Sequence, residues 1–212
     1  CWIHPNPQGQ DLFECQFINS QVGFACGDGG IVMKTTNGGI NWFNVSNLSA
    51  YPLWDVKFVN RDTGWVCSDD LIDGGIFKTT NGGGSWTRQT TPNQLRPVKL
   101  FFLNNDTGWT LNSNSIYKTT NGGTNWSSQS SGTSNNLRGV SFADANNGIA
   151  VGIYGTIVST SNGGANWAFQ STGTSIWYYG VSFTDSVNAT AAGSSGAIRR
   201  QASPSICRHP VS

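Results

Sequence analysis

The sequence predicts an all-β fold built from a short repeated unit, and two observations carry that prediction. One nine-residue phrase, typified by KTTNGGINW, recurs four times, and the spacing between its copies is nearly constant. Its closing tryptophans, at positions 42, 86, 126 and 167, are 44, 40 and 41 residues apart. This period is typical of radial β-repeat folds rather than of helical repeats or heptads.

Each part of the phrase has a physical role in a β-hairpin. The residues before it are β-branched or aromatic, as in Ile76-Phe77, and this favours a strand. The Asn-Gly-Gly that follows supplies positive φ angles and local side-chain hydrogen bonds, which predicts a tight turn. A tryptophan then opens the returning strand, where its ring can cover the turn. The residues assigned to these structural turns are Asn37, Asn81, Asn121, Asn162, Trp42, Trp86, Trp126 and Trp167.

A second hairpin precedes each turn, so that one unit contains four short strands in about 41 residues. Four strands in this length correspond to one blade of a β-propeller. The aligned upstream segments begin at Phe17, Phe58, Phe102, Phe142 and Phe183. The five blades are expected at about residues 11–46, 52–91, 96–130, 137–171 and 178–202.

The fifth unit lacks its returning strand, because RRQASPS stands where the turn would be. Cys1-Trp2 aligns with Asn41-Trp42, so residues 1–6 are expected to supply that strand. This pairing would close the ring and remove exposed sheet edges. The sequence thus predicts one domain over residues 1–212, a complete five-bladed β-propeller of four-stranded antiparallel blades with a tail at 203–212.

The phrase T-x-N-G-G-x-N-W resembles the Asp-box, or BNR, repeat of sialidases. The whole unit, with F-x-(D/N)-x-x-x-G-(W/F) upstream of I-x-K-T-T-N-G-G-x-x-W, is most similar to Ycf48-like propellers and to secreted bacterial BNR-repeat proteins. The Ycf48-like resemblance implies a role in photosystem II assembly, and hence an assembly factor for a membrane protein complex as one hypothesis. Asn replaces the Asp of the sialidase box at all four turns, which argues against metal binding there.

The composition limits the cellular compartments and the classes of binding partner that are expected for this protein. Charged residues make up 11% of the chain and the net charge is +1, which argues against a nucleic-acid-binding surface. No apolar run approaches the length of a transmembrane segment. The chain is rich in Asn, Ser, Thr and Gly and shows neither an initiator Met nor a signal peptide. We therefore expect the mature form of a secreted or cell-surface protein, extracellular or periplasmic.

The five cysteines fall into two groups. Cys15, Cys26 and Cys67 align with apolar residues of other repeats and are expected to be buried, inert thiols. Cys1 and Cys207 lie on either side of the expected ring closure, where a disulfide would stabilise the closing blade. The alternative for Cys1 is lipidation as the first residue of a mature lipoprotein.

Two carboxylates are the candidate catalytic groups. Glu14 and Asp55 occupy equivalent positions on the innermost strands of neighbouring repeats, and Glu14 is the only glutamate. A glycoside hydrolase needs such a pair as acid and base or nucleophile. The alternative is that these acids form ion pairs with Lys57 and Lys99, or that they simply solvate the central channel of the propeller.

The loops around the innermost strands combine aromatic rings with acids and arginines, as a sugar-binding groove does. Trp54 and Tyr179 are expected to cover the blades, whereas Trp177 and Tyr178 have no equivalent pair in other repeats and are expected to be exposed. The candidate ligand-binding residues are Tyr51, Asp69, Asp70, Arg96, Arg138, Tyr154, Trp177 and Tyr178.

The leading functional hypothesis is a secreted, non-catalytic module that binds a glycan or a protein through this loop face, or that self-assembles at the cell surface. No cofactor and no metal is expected. Asp69, Asp70 and Asp73 could together bind Ca²⁺, but they lack the D-x-D-x-D-G spacing of a calcium loop, and a solvated acidic turn is the simpler interpretation.

Overall fold

The structure is a computed structural model of the chain, and it describes residues 9–70, 75–92 and 95–201. Within these ranges the chain forms 19 β-strands in five sheets. None of the described residues belongs to a helix that could span a membrane.

The strands follow one another within each sheet in chain order, joined as hairpins. The first sheet contains β1 (Leu12–Phe17), β2 (Gly23–Gly27), β3 (Ile31–Thr35) and β4 (Phe43–Asn47). The second contains β5 (Asp55–Phe58), β6 (Gly64–Ser68), β7 (Gly75–Thr79) and β8 (Thr87–Arg88). The third contains β9 (Lys99–Phe102), β10 (Gly108–Asn112), β11 (Ser115–Thr119) and β12 (Ser127–Gln129). The fourth contains β13 (Leu137–Phe142), β14 (Gly148–Gly152), β15 (Ile157–Thr160) and β16 (Ala168–Gln170). The fifth contains β17 (Tyr178–Phe183), β18 (Ala189–Gly193) and β19 (Ile198–Gln201).

The chain divides into two compact units. The first unit contains Cys1–Thr110 and Thr119–Ser127, and the second contains Leu111–Lys118 and Ser128–Ser212. The core of the first unit includes Phe24, whose ring stacks on Phe58 at a centroid distance of 3.7 Å. In the second unit a smaller core joins Val151 of the fourth sheet to Tyr178 of the fifth.

Each Asn-Gly-Gly segment forms a turn stabilised by its own side chains. Asn37 Oδ1 accepts hydrogen bonds from the Thr35 hydroxyl at 3.0 Å and the Asn41 N–H at 2.9 Å. The Gly38 and Gly39 φ angles are 69° and 87°, which glycine adopts without steric cost. The turns at Asn81, Asn121 and Asn162 repeat these bonds.

An edge-to-face aromatic pair accompanies every one of these turns. The phenylalanine that ends the innermost strand meets the tryptophan of the turn at an interplanar angle between 83° and 86°. Such pairs contribute about 0.5–1.5 kcal/mol beyond their buried area. The four pairs are Phe17 with Trp42, Phe58 with Trp86, Phe102 with Trp126, and Phe142 with Trp167.

The expected four-stranded antiparallel sheets are confirmed for four repeats, and the fifth has three strands within the described residues. Residues 1–6, expected to close the ring, and the tail at 203–212 lie outside those ranges. Cys1, Cys207 and Asp73 also lie outside those ranges, so the disulfide between Cys1 and Cys207 stays a prediction.

The expectation of three buried thiols is wrong for Cys15, which is exposed, whereas Cys26 and Cys67 are buried. The equivalent residue of the second sheet, Val56, is buried because it packs against the sheet before it in the chain. Cys15 lies in the first sheet, and its neighbour Phe17 is exposed as well. Burial raises the pKa of the Cys26 and Cys67 thiols, which keeps them protonated and unreactive.

Candidate binding surface at the start of the innermost strands

A β-bulge lies near the start of the innermost strand in three of the five sheets. On β1 the pairing register shifts between Leu12 and Glu14, so that Phe13 is an extra residue. The same shift makes Arg138 an extra residue on β13 and Tyr179 one on β17. A bulge turns a side chain away from the regular ladder. Phe13, Arg138 and Tyr179 are all exposed. Phe13 marks a candidate surface of the first unit, and Arg138 and Tyr179 mark one of the second.

Glycines hold the loops that lead into these strands. A Cβ added to Gly193 would lie 2.4 Å from the Trp177 carbonyl oxygen, and one added to Gly152 would lie 2.1 Å from the Asn136 carbonyl oxygen. These loops therefore approach the second strand so closely that only glycine fits at these two positions. Sequence reasoning did not predict this contact.

The candidate surface of the first unit contains a stacked aromatic pair and an ion pair. Phe13 and Trp54 stack with their centroids 4.9 Å apart. The Trp54 indole N–H donates to Asp69 Oδ1 at 2.7 Å, and Arg96 Nε donates to the Asp69 carbonyl at 2.7 Å. The Arg96 guanidinium also lies 3.6 Å from Asp69 Oδ2. We call these four residues the first-unit patch. Its arginine already has a carboxylate partner.

The candidate surface of the second unit contains Arg138, Tyr154 and Trp177, which we call the second-unit patch. The Arg138 guanidinium lies over the Trp177 ring at 5.7 Å, a cation–π contact. The Tyr154 ring meets Trp177 edge to face at 6.0 Å. Trp177 is 38% exposed and Tyr154 is 58% exposed. No acidic residue within the described ranges forms an ion pair with Arg138. The patch therefore presents a cation over the Trp177 ring, and the Tyr154 ring packs against the same tryptophan.

Tyr154 adopts a backbone conformation that disfavours a large side chain. Its φ is +55°, in the left-handed region. The loop is held by the Gly155 N–H, which donates to the Ile176 carbonyl at 2.6 Å. A tyrosine in such a strained position motivates a functional hypothesis. Equivalent loops in the first and fifth sheets place Gly29 and Ser195 there.

We expect Tyr154→Gly to leave the free energy of unfolding within about 1 kcal/mol of the wild type, because relief of strain offsets the lost ring contact. Tyr154→Ala keeps the strain and should be the less stable variant by about 1 kcal/mol. Urea unfolding followed by tryptophan fluorescence measures both values. Equal stability of the two variants would contradict the strain argument.

Tyr51 and Asp70 are the candidate ligand-binding residues that belong to neither named patch. Tyr51 is exposed in the loop before β5, where its N–H bonds to the Ser49 hydroxyl at 3.0 Å. Asp70 is partly buried in the loop after β6. Trp54 and Tyr179, expected to cover the blades, retain 36% and 51% of their surface exposed.

The expectation that Tyr178 is exposed is wrong, since its side chain is only 2% exposed. It packs among Ile149, Val151 and Ala191 in the core of the second unit. The bulge at Tyr179 explains the difference, because the residue before the bulge points into the core. Leu137, before the bulge of the fourth sheet, is buried in the same way.

Four charged side chains from the innermost strands of the first unit form a cluster. Lys99 contacts Glu14 directly, and its Nζ is 3.6 Å from Asp55 Oδ2. Lys57 Nζ is 3.6 Å from Asp55 Oδ1, and the Leu100 N–H donates to Asp55 Oδ2 at 2.7 Å. Glu14 and Asp55 thus form the ion pairs that were predicted as the alternative to a catalytic role.

The pKa values in this cluster reflect burial opposed by charge. Burial raises the pKa of Asp55, although Lys57 and Lys99 lower it in part. Burial alone would lower the pKa of Lys99, but Asp55 and Glu14 outweigh it and the pKa is raised. The stabilising contribution of the Lys99 cation is therefore present below its unfolded pKa and is lost as pH rises through the raised value.

Asp55 is unsuited to act on a substrate, because its side chain has no exposed surface. A general acid or nucleophile must come within hydrogen-bond distance of the reacting group. Within the described ranges, no group of three or more His, Cys, Asp or Glu residues could hold a metal ion.

The repeated antiparallel sheets, with their Asn-Gly-Gly turns and matching tryptophans, define a BNR-repeat protein of the β-propeller class. Residues 6–141 match the model of a family described as photosynthesis system II assembly factor YCF48. The chain belongs to this family.

Solved structures agree with the fold. YCF48 bound to a D1 peptide has a TM-score of 0.73 and 21% identity over 94% of this chain and 65% of that one. YCF48 from Cyanidioschyzon merolae has a TM-score of 0.72 and 22% identity over 92% and 67%. An ancestral GH74 enzyme has a TM-score of 0.71 and 20% identity over 90% and 28%. At these identities the likeness shows the fold alone, and the chain spans about two thirds of the YCF48 structures. A comparison with curated proteins gives no match.

Proposed function

We propose that the protein is an assembly factor for a membrane protein complex and binds a peptide segment of a client subunit. Family membership supports the assembly role. The observation that carries the binding mode is the exposed Arg138 stacked on Trp177 without an ion-pair partner among the described residues. A relative of the same fold has been solved with a D1 peptide bound, which supports a protein partner.

The chemistry of the second-unit patch favours a peptide over a neutral glycan. A guanidinium binds a carboxylate through two parallel hydrogen bonds, and such charge-assisted bonds are the stronger kind. The Trp177 ring that contacts the guanidinium, and the Tyr154 ring that packs against Trp177, offer apolar surface to a neighbouring side chain. A neutral glycan would use the rings but leave the guanidinium without a charged partner. We therefore expect a segment with a carboxylate next to an apolar residue.

Arg138→Gln tests this proposal, with Arg96→Gln as the matched control. The probes are a D1 peptide and a panel of neutral glycans, measured by calorimetry at low and high salt. We expect Arg138→Gln to weaken peptide binding about tenfold to hundredfold, since a hydrogen bond to a charged group contributes about 1.5–3 kcal/mol. Arg96 is paired with Asp69, so its replacement should change affinity less than about threefold.

Salt should weaken binding to the wild type more than to Arg138→Gln, because screening acts on the charge. Two outcomes count against the proposal: equal losses in the two arginine variants, or binding to neutral glycans without binding to the peptide. The second outcome would favour the glycan-binding module instead.

We also propose that the fifth sheet takes a fourth strand, as the other four sheets do. Phe183 aligns with the four phenylalanines that meet a tryptophan, yet no described tryptophan pairs with it. Ile198 of β19 is 76% exposed, whereas its counterpart Val32 is buried. Residues 1–6 are the segment that the repeat assigns to this strand through Trp2. A fourth strand formed by this segment would complete the five-bladed arrangement expected from the sequence.

A further inference from the structure

The four structural turns share a chemically labile bond. Each contains Asn followed by Gly, at Asn37, Asn81, Asn121 and Asn162. In a flexible chain this dipeptide deamidates readily, because glycine hinders the reaction least. The glycine nitrogen loses its proton and attacks Cγ of the asparagine side chain, and ammonia leaves. Water then opens the resulting succinimide to aspartate or isoaspartate.

The fold restrains both reacting groups, as the turn at Asn121 shows. The Gly122 N–H donates to the Asp106 carbonyl at 2.8 Å. The attacking nitrogen is therefore held in a hydrogen bond to the loop between β9 and β10. Asn121 Oδ1 accepts from the Thr119 hydroxyl at 3.0 Å and from the Asn125 N–H at 2.9 Å. Thr119 is fully buried, so water does not compete for this contact.

The same restraints recur at the other three turns. The first glycine of each turn donates its N–H to a carbonyl of the preceding hairpin at 2.8 Å. A buried threonine hydroxyl holds each asparagine side chain at 2.9 or 3.0 Å. The carbonyl acceptors are those of Gln21 for Gly38, Asp62 for Gly82, and Asn146 for Gly163.

We infer that the four Asn-Gly turns are latent deamidation sites, which the fold keeps unreactive and which react only when the turn opens. The two products differ in their effect. Aspartate retains Oδ1 and can accept the same two hydrogen bonds, so the turn tolerates it. Isoaspartate adds a methylene to the backbone and breaks the spacing between Thr119 and Asn125. A chain held unfolded therefore becomes progressively unable to refold.

The first experiment compares the wild type in buffer and in urea, both at mildly alkaline pH. Peptide mapping by mass spectrometry measures aspartate and isoaspartate at each turn over time. We expect deamidation at all four turns to be at least about tenfold slower in the native protein, because reaction requires local opening. Equal deamidation rates in buffer and in urea would overturn the inference, regardless of the rates measured for the threonine variants described next.

The second experiment uses Thr119→Val, with Thr110→Val as the matched control. Both threonines are fully buried, and the Thr110 hydroxyl donates to the Lys99 carbonyl at 2.8 Å, away from the turns. Thr119→Val should accelerate deamidation of Asn121 at least about threefold and leave Asn37 unchanged. Thr110→Val should accelerate neither. Similar acceleration of Asn121 in both variants would assign the effect to general destabilisation and overturn the role of the threonine.

Discussion

Asp55→Ala is expected to lower the free energy of unfolding by about 3–5 kcal/mol, the usual effect of breaking a buried ion pair. The Asp55 side chain has no exposed surface and compensates two lysines. Its removal leaves the buried Leu100 N–H without its acceptor and Lys57 without a counter-ion. Urea unfolding at neutral pH, followed by tryptophan fluorescence, measures the loss.

Glu14→Gln is the matched control for Asp55→Ala. The Glu14 side chain is 26% exposed, and glutamine still offers an oxygen to Lys99. We expect a loss below about 1 kcal/mol, in the range of exposed ion pairs. Asp55→Asn keeps one oxygen for the Leu100 N–H and should fall between the two. A change of less than about 1 kcal/mol in Asp55→Ala would show that the cluster contributes little to stability.

Tyr178→Ala is expected to destabilise the protein by about 3–5 kcal/mol, as for other large aromatic residues removed from a core. The ring fills space between the fourth and fifth sheets of the second unit. Because Trp177 precedes it directly, the second-unit patch should also lose order and peptide affinity. The same urea titration measures the stability, and calorimetry with the D1 peptide measures the affinity.

The chain itself suggests the control for this variant. Leucine occupies the equivalent core position in the second and fourth repeats, at Leu53 and Leu137, and both are buried. Tyr178→Leu should therefore lose only about 1–2 kcal/mol and keep its peptide affinity. If Tyr178→Leu lost affinity without losing stability, Tyr178 would be a ligand contact after all.

The sequence predicts the hairpins because their determinants are local. At Asn121, the preceding threonine, the two glycines and the following tryptophan all lie within one phrase, and the turn needs little else. Repetition then fixes the length of each unit. The four-stranded sheets follow from these two facts.

The two patches could be predicted only in part, because each depends on contacts between repeats. The arginine and the aromatic residues of the second-unit patch were identified as candidates, but nothing in the sequence pairs Arg138 with Trp177. The strict alternation of a strand does not hold across a bulge, which is why the burial of Tyr178 was missed. The ion pair between Arg96 and Asp69 could also be seen only in the structure. This pair is the reason why Arg96 and Arg138 are expected to differ in ligand binding.

The bulges have a consequence for how such a chain diversifies after its repeats have been duplicated. The extra residue is Phe13 in one copy, Arg138 in another and Tyr179 in a third, while its neighbours stay within the ladder. A codon change there replaces an exposed side chain without disturbing the sheet beneath it. Each duplicated copy can thus acquire its own contact with a partner while selection on folding remains unchanged.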